Sequence, residues 1–337
     1  MRLSIVAPVK LAIVIFLGIL AFSCSKSTEN KNSNKEPERV VQVPKASADS
    51  AFYFVKKQVE FGPRVPNTPA HRKTGDYLVA TLRKYGAQVT EQNFESPSFD
   101  GEKLVLRNII ASFYPEKQKR ILLAAHWDTR PFSDKDKEKP HAPFDGANDG
   151  ASGVGVLLEI ARVLKGNTAP EMGVDIIFFD GEDWGEPDGA ENTQLPSNLK
   201  EWWCLGSQYW ASHKHKSNYT AYYGILLDMV GAKGSKFYRE GTSLENAPSI
   251  VEKVWSRAAK LGYSDVFFPQ NVPAITDDHT FVSTIGKIPM IDVVHYDPTH
   301  GFFGDYHHTQ KDNMDIISPR TLQIVADVVL NVVYYEQ

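Results

Sequence analysis

The chain has 337 residues, 37 basic against 41 acidic side chains, a formal charge of −4 at pH 7, and two cysteines. This mildly acidic balance points away from nucleic acid as a partner. So few cysteines exclude a thiolate zinc cluster, and any metal site must draw on histidine and carboxylate.

Arg2 and Lys10 give a basic start, and residues 11–22 form an apolar run too short to span a bilayer comfortably. Ala21 and Ser23 lead into Cys24. That is the layout of a secretory signal over residues 1–23, with Cys24 at a lipoprotein cleavage site. Residues 24–48 are rich in Ser, Asn, Lys and Glu and read as a flexible tether, unable to bury enough surface to offset chain entropy. The expectation is an exported, periplasmic protein whose only membrane association is a lipid on Cys24. Cys204 is then left without a disulfide partner. Residues 49–337 are expected to form a single domain.

Within that domain, residues 49–58 and 69–84 carry the apolar spacing of amphipathic helices, and Gly86 follows the second as a stop signal. Residues 88–94 and 104–114 read as a strand pair. Four nearly continuous apolar runs follow, at 121–125, 174–179, 224–227 and 289–294. Runs without alternation suit strands buried on both faces. Helices are predicted at 151–164, 206–214, 248–261 and 320–334. The order implies an α/β fold, an open, mixed, mostly parallel central sheet with helices on both faces.

Ligands of such sheets bind at the carboxyl ends of the strands. The first apolar run is followed there by His126, Trp127 and Asp128, and the second by Asp180, Gly181, Glu182 and Asp183. Asp228 follows the third, and His295 and later His307 and His308 follow the fourth. Asp149 stands just before the helix predicted at 151. Catalytic zinc takes three protein ligands and keeps one position open, and Asp149, Asp183 and His308 are candidates, with His307 as the alternative to His308. Glu182, beside a ligand and free of the metal, is a natural general base if Gly181 bends the chain there.

HWDT at 126–129, DGANDGASG at 145–153, FFDGED at 178–183, LDMVG at 227–231 and HHTQKD at 307–312 resemble the ordered blocks of the zinc-aminopeptidase-like superfamily. That superfamily includes two-zinc aminopeptidases and one-zinc glutaminyl cyclases of animal type with bacterial relatives. Three features are similar to the cyclases. An insert containing Trp184, Trp202 and Trp203 separates Asp183 from Gly206-Ser207. Thr276-Asp277-Asp278-His279 resembles their doubled-Asp block, and Phe302-Phe303 precedes His308. Animal cyclases carry Glu-Glu where this chain has Glu182-Asp183, and Trp where it has His307.

The resemblance implies one catalytic domain that closes the N-terminal glutamine of peptides and proteins to pyroglutamate with loss of ammonia, using one zinc per chain. It implies Asp149, Asp183 and His308 as ligands and Glu182 as proton shuttle, sharing protons with Asp228 and Asp277. Trp203, Phe303 and Trp184 would wall the substrate pocket. His126 would serve a second metal or orient the site. The alternatives are a two-zinc aminopeptidase using His126, Asp149, Asp183, Asp228 and His308, and a non-enzymatic receptor domain.

Overall fold

The computed structural model describes residues 41–187, 189–190 and 194–337. The expected signal peptide and Cys24 lie outside the described residues. The helices are α1 (Ala48–Val59), α2 (Pro69–Lys84), α3 (Ala151–Gly166), α4 (Leu205–Ser212), α5 (Gly241–Asn246), α6 (Pro248–Lys260), α7 (Asp278–Thr284) and α8 (Pro319–Tyr335). The strands are β1 (Gln88–Pro97), β2 (Lys103–Phe113), β3 (Arg120–His126), β4 (Gly173–Phe179), β5 (Tyr223–Asp228), β6 (Phe237–Glu240), β7 (Phe267–Val272) and β8 (Met290–Val294). Local chemistry sets several ends. Thr68 caps α2 by accepting from the His71 amide, Pro69 opens that helix, and Gly86 follows with φ +87°.

Six strands form the central sheet in the order β1-β2-β4-β3-β5-β8. β1 and β2 are antiparallel to each other, β2 is antiparallel to β4, and β4, β3, β5 and β8 run parallel. Successive residues serve opposite faces, as the pleat demands. Ile121, Leu123 and Ala125 of β3 join a core with α1, α3 and α8. Leu122 and Ala124 join another with Trp210 of α4 and Val282 of α7. Every residue of β3, β4, β5 and β8 is buried, which explains their nearly continuous apolar reading. A separate parallel pair, β6 with β7, was not expected from the sequence. β7 is largely exposed and contains Pro269, so it carries no strand periodicity.

Residues Val41–Gln337 form one compact unit, so the packed chain starts before residue 49. Val41 and Val43 lie against the core, the Ala46 amide donates to Asp327 and the Ser47 amide to Glu159. The end of the expected tether is therefore part of the fold.

Candidate metal centre and pocket

The carboxyl ends of the parallel strands open on a cavity of about 370 Å³. His126 ends β3, Asp228 ends β5, and β4 runs directly into Asp180–Asp183. Gly181 adopts φ +70°, a conformation that favours glycine, and turns Glu182 and Asp183 into the same cleft. The Asp128 carboxylate accepts from the amides of both Glu182 (3.1 Å) and Asp183 (3.2 Å), pinning that turn.

Asp149, Asp183 and His308 lie together beside the cavity. The His308 Nε2 lies 3.1 Å from Asp183 Oδ1 and 3.7 Å from Asp149 Oδ2, all three residues being buried. Two buried carboxylates with one imidazole fit a divalent cation with nitrogen and oxygen ligands, and such a set would be costly to bury without one. His307 Nε2 is also near, 4.0 Å from Asp149 Oδ2. His308 holds a left-handed backbone (φ +54°), as do Met229, which lines the same cavity, and Cys204, whose thiol meets Glu182. Such strain in non-glycine residues gathers at functional sites.

His126 occupies the centre of four carboxylates. Its Nε2 is 3.0 Å from Asp149 and 3.2 Å from Asp228, and its Nδ1 is 3.5 Å from Asp128 and 3.8 Å from Glu182. Burial works to lower its pKa, but bonds to Asp128, Asp149 and Asp228 outweigh that and hold it well above the ordinary value. His126, Asp149 and Asp228 could themselves hold a metal, since their ligand atoms lie within 4.8 Å of one another.

Glu182 stands beside this centre. Its Oε1 accepts from the Cys204 thiol at 3.2 Å, and its ligand atoms group with Cys204 and Asp277 within 4.8 Å. Burial pushes the Glu182 carboxyl well above the carboxylate range, opposed by His126 and reinforced by Asp277, Asp183 and Asp278. Burial, against the pull of His126, likewise raises Asp228, to about 7. Asp277 is also raised, first by burial.

Trp203 and Phe303 line the cavity. Trp203 stacks parallel to His308 at 6.0 Å, and the Arg130 guanidinium lies 4.6 Å from its ring. Trp184 does not line the pocket. It packs at 8% exposure with Phe94, Leu104, Leu106, Trp202 and Leu205, because the chain after Asp183 turns it toward the β1–β2 hairpin. Trp184→Ala is therefore expected to cost about 3–5 kcal/mol of stability with KM unchanged. Trp203→Ala should raise KM with little loss of stability. Denaturant unfolding and steady-state kinetics on both variants check this division.

The residues that hold the site went unassigned in the sequence. Asp312 accepts from the amides of Asn148 and Asp149, while buried Arg64 donates to the carbonyls of Trp127, Gly146 and Asp149. The Arg130 amide donates to Asp183 Oδ2 and its guanidinium to Asp134, whose Oδ1 faces His308 Nδ1 at 3.3 Å. Asp128 and Asp312 lay within recognisable motifs; Arg64, Arg130 and Asp134 carried no signal. His295, singled out after β8, instead meets the Tyr306 hydroxyl at 2.6 Å, and burial lowers its pKa to about 4.

A helix-covered mixed sheet with a buried His–carboxylate centre at its carboxyl edge defines a metal-dependent α/β enzyme. Residues 108–333 match peptidase family M28, and the chain belongs to that family. Zinc is the metal consistent with this membership and with the neighbours that follow. The chain is similar to the crystal structure of glutaminyl cyclase from Bacteroides thetaiotaomicron bound to N-acetylhistamine. The identity is 49%, the TM-score 0.84, and the match covers 88% of this chain and 100% of that one. It is also similar to a Zn-dependent exopeptidase from Parabacteroides distasonis, with 51% identity, TM-score 0.83, and 87% and 99% of the two chains covered. A glutaminyl-peptide cyclotransferase-like protein of Bos taurus is 30% identical over 79% of this chain and 70% of its own length.

Proposed function

We propose that this chain is a glutaminyl-peptide cyclotransferase, converting the N-terminal glutamine of peptides and proteins to pyroglutamate. The observation that carries the reading is the placement of Glu182. It is a mostly buried carboxyl beside the zinc ligands, bonded to Cys204, near Asp277, in a cavity walled by Trp203 and Phe303. The α-amine of the substrate attacks its own γ-carboxamide carbon. A ring C–N bond forms, the C–N bond to the amide nitrogen breaks, and ammonia leaves without consuming water. Folding the substrate over in a small pocket prepays much of the entropy of ring closure. Glu182 takes a proton from the attacking ammonium and returns it to the departing nitrogen. Asp228 and Asp277 share protons with it, His126 lying between Glu182 and Asp228. A zinc held by Asp149, Asp183 and His308 would supply polarisation of the amide carbonyl.

One zinc per chain is proposed, with His126 and Asp228 serving the carboxyl network. The His126–Asp149–Asp228 grouping favours the rival reading, a two-zinc aminopeptidase. The test pairs metal analysis with assay of a Gln-initiated peptide. Ammonia and a pyroglutamyl product at one zinc per chain are expected. Release of free N-terminal amino acid, rising in step with a second zinc, would establish the peptidase instead.

The proposal extends to location: export under a signal ending at residue 23 and anchoring by lipid on Cys24. The basic start, the short apolar run and the small residues before Cys24 support it. Cys24→Ala should release the protein from membranes or leave it unprocessed. Unchanged membrane partitioning of that variant would count against the lipid.

A further inference from the structure

We infer that the neighbouring residues Asp134 and Lys135 set opposite tautomers on the neighbouring histidines His308 and His307, and so reserve the metal-binding lone pair for His308. The inference rests on the zinc reading above. Both rings stand at the site, although only His308 also reaches Asp183, its Nε2 3.1 Å from Oδ1. They lie 3.7 Å apart, and both Nε2 atoms face Asp149 Oδ2, at 3.7 Å for His308 and 4.0 Å for His307. Asp149, His307 and His308 have ligand atoms within 4.8 Å of one another.

The residues behind the rings reinforce that placement. A neutral imidazole has one N–H and one lone pair, and the partner of one nitrogen fixes the role of the other. Asp134 Oδ1 stands 3.3 Å from His308 Nδ1. The Arg130 guanidinium, donating to both oxygens of Asp134, keeps that carboxylate an acceptor. An acceptor at that distance favours the proton on His308 Nδ1, which leaves the Nε2 lone pair free for a metal. A carboxylate behind a ligating histidine is the usual outer support of such sites.

Lys135 does the reverse. Its Nζ lies 2.9 Å from His307 Nδ1, and an ammonium can only donate. His307 Nδ1 must be the acceptor, so its proton sits on Nε2 and that nitrogen has no lone pair to give. His307 becomes an N–H donor lining the pocket, held edge-on to Phe303 at 4.6 Å. The Lys135 amide also donates to the His308 carbonyl at 3.2 Å, keeping the two pairs in register. One acidic and one basic residue, consecutive in sequence, thus sort two consecutive histidines into ligand and donor. Asp134 and Lys135 act as positioning residues.

The test is long-range 1H–15N NMR of the histidine rings in the zinc-loaded full chain, with His307→Ala for assignment. His308 should show a protonated Nδ1 and a metal-shifted Nε2, and His307 a proton on Nε2. Lys135→Met, a change at an exposed side chain, should leave zinc affinity unchanged while the His307 proton moves between its two nitrogens. Lys135→Arg should restore the single tautomer. Asp134→Ala should weaken zinc binding about ten- to a hundredfold in chelator competition. A wild-type spectrum with metal or no proton at His307 Nε2 overturns the inference, as does an unaltered His307 in Lys135→Met. Failure to cyclise glutamine with these tautomers in place would sink the cyclase reading alone. Normal cyclisation with the other tautomers would sink only this inference.

Discussion

Glu182→Gln is expected to keep its zinc and lose about two to four orders of magnitude in turnover, the usual worth of general acid–base help. The substitution is nearly isosteric, and the amide oxygen can still accept from the Cys204 thiol that now bonds Oε1. The pocket should therefore survive, and a competitive inhibitor should bind nearly as before. What is lost is the capacity to take a proton and return it. Burial first, and then the carboxylates of Asp277, Asp183 and Asp278 against the pull of His126, raise this carboxyl well above its usual range. That brings it toward the pH at which one group can serve both as acceptor and as donor. The measurements are kcat, inhibitor affinity and zinc content on one preparation. Near-normal turnover would remove the proton shuttle from this position and the mechanism with it.

The parts of this molecule that were legible in the sequence are those where burial leaves a one-dimensional trace. β3, β4, β5 and β8 are buried along their whole length, so each reads as an apolar run whose end marks the site. α2 is bounded by Thr68, Pro69 and Gly86, all local signals, and its limits follow directly. α7 is capped by Asp277 with Thr280 in a reciprocal box, a signal present in the sequence but read there only as a family likeness. β6 and α5 are short and take their place from Glu240, which accepts from the amides of Thr242 and Ser243. Such a role is invisible until the chain is folded.

The same division runs through the site. The rule of strand ends located His126, Glu182, Asp183 and Asp228 without reference to any relative. It could not find Arg64 or Arg130, because a sequence does not say that an arginine is fully buried and spends its donors on backbone carbonyls. Trp184 and Trp203 could not be told apart either. Both lie in one aromatic insert, and only the turn after Asp183 sends one ring into the core and the other over His308. Gly185 permits that crossing, since a side chain there would meet the Trp203 ring at 2.0 Å.

Asp183→Ala and His308→Ala should fail in a way Glu182→Gln does not: by losing the metal itself. Each removes one of the three proposed ligands from a cluster in which Asp183 Oδ1 and His308 Nε2 stand 3.1 Å apart. Zinc affinity should fall by more than the roughly ten- to hundredfold typical of an outer partner. Activity should vanish at ordinary zinc concentrations. A readout independent of turnover comes from linkage, because a ligand that binds only the folded chain stabilises it in proportion to the logarithm of one plus the ratio of its free concentration to Kd. Free zinc at a thousandfold above Kd adds about 4 kcal/mol to the wild-type protein. Chelation should therefore lower the wild-type Tm sharply and leave both variants almost unmoved. Asp183→Ala carries a second cost, because the Arg130 amide loses its acceptor and buried Arg130 sits against Trp203. His308→Ala separates that effect, since it leaves Asp183 and its bond to Arg130 in place. If Asp183→Ala retains zinc while Glu182→Gln emerges without it, the roles of the two neighbouring carboxylates are exchanged, with Glu182 holding the metal and Asp183 moving the proton.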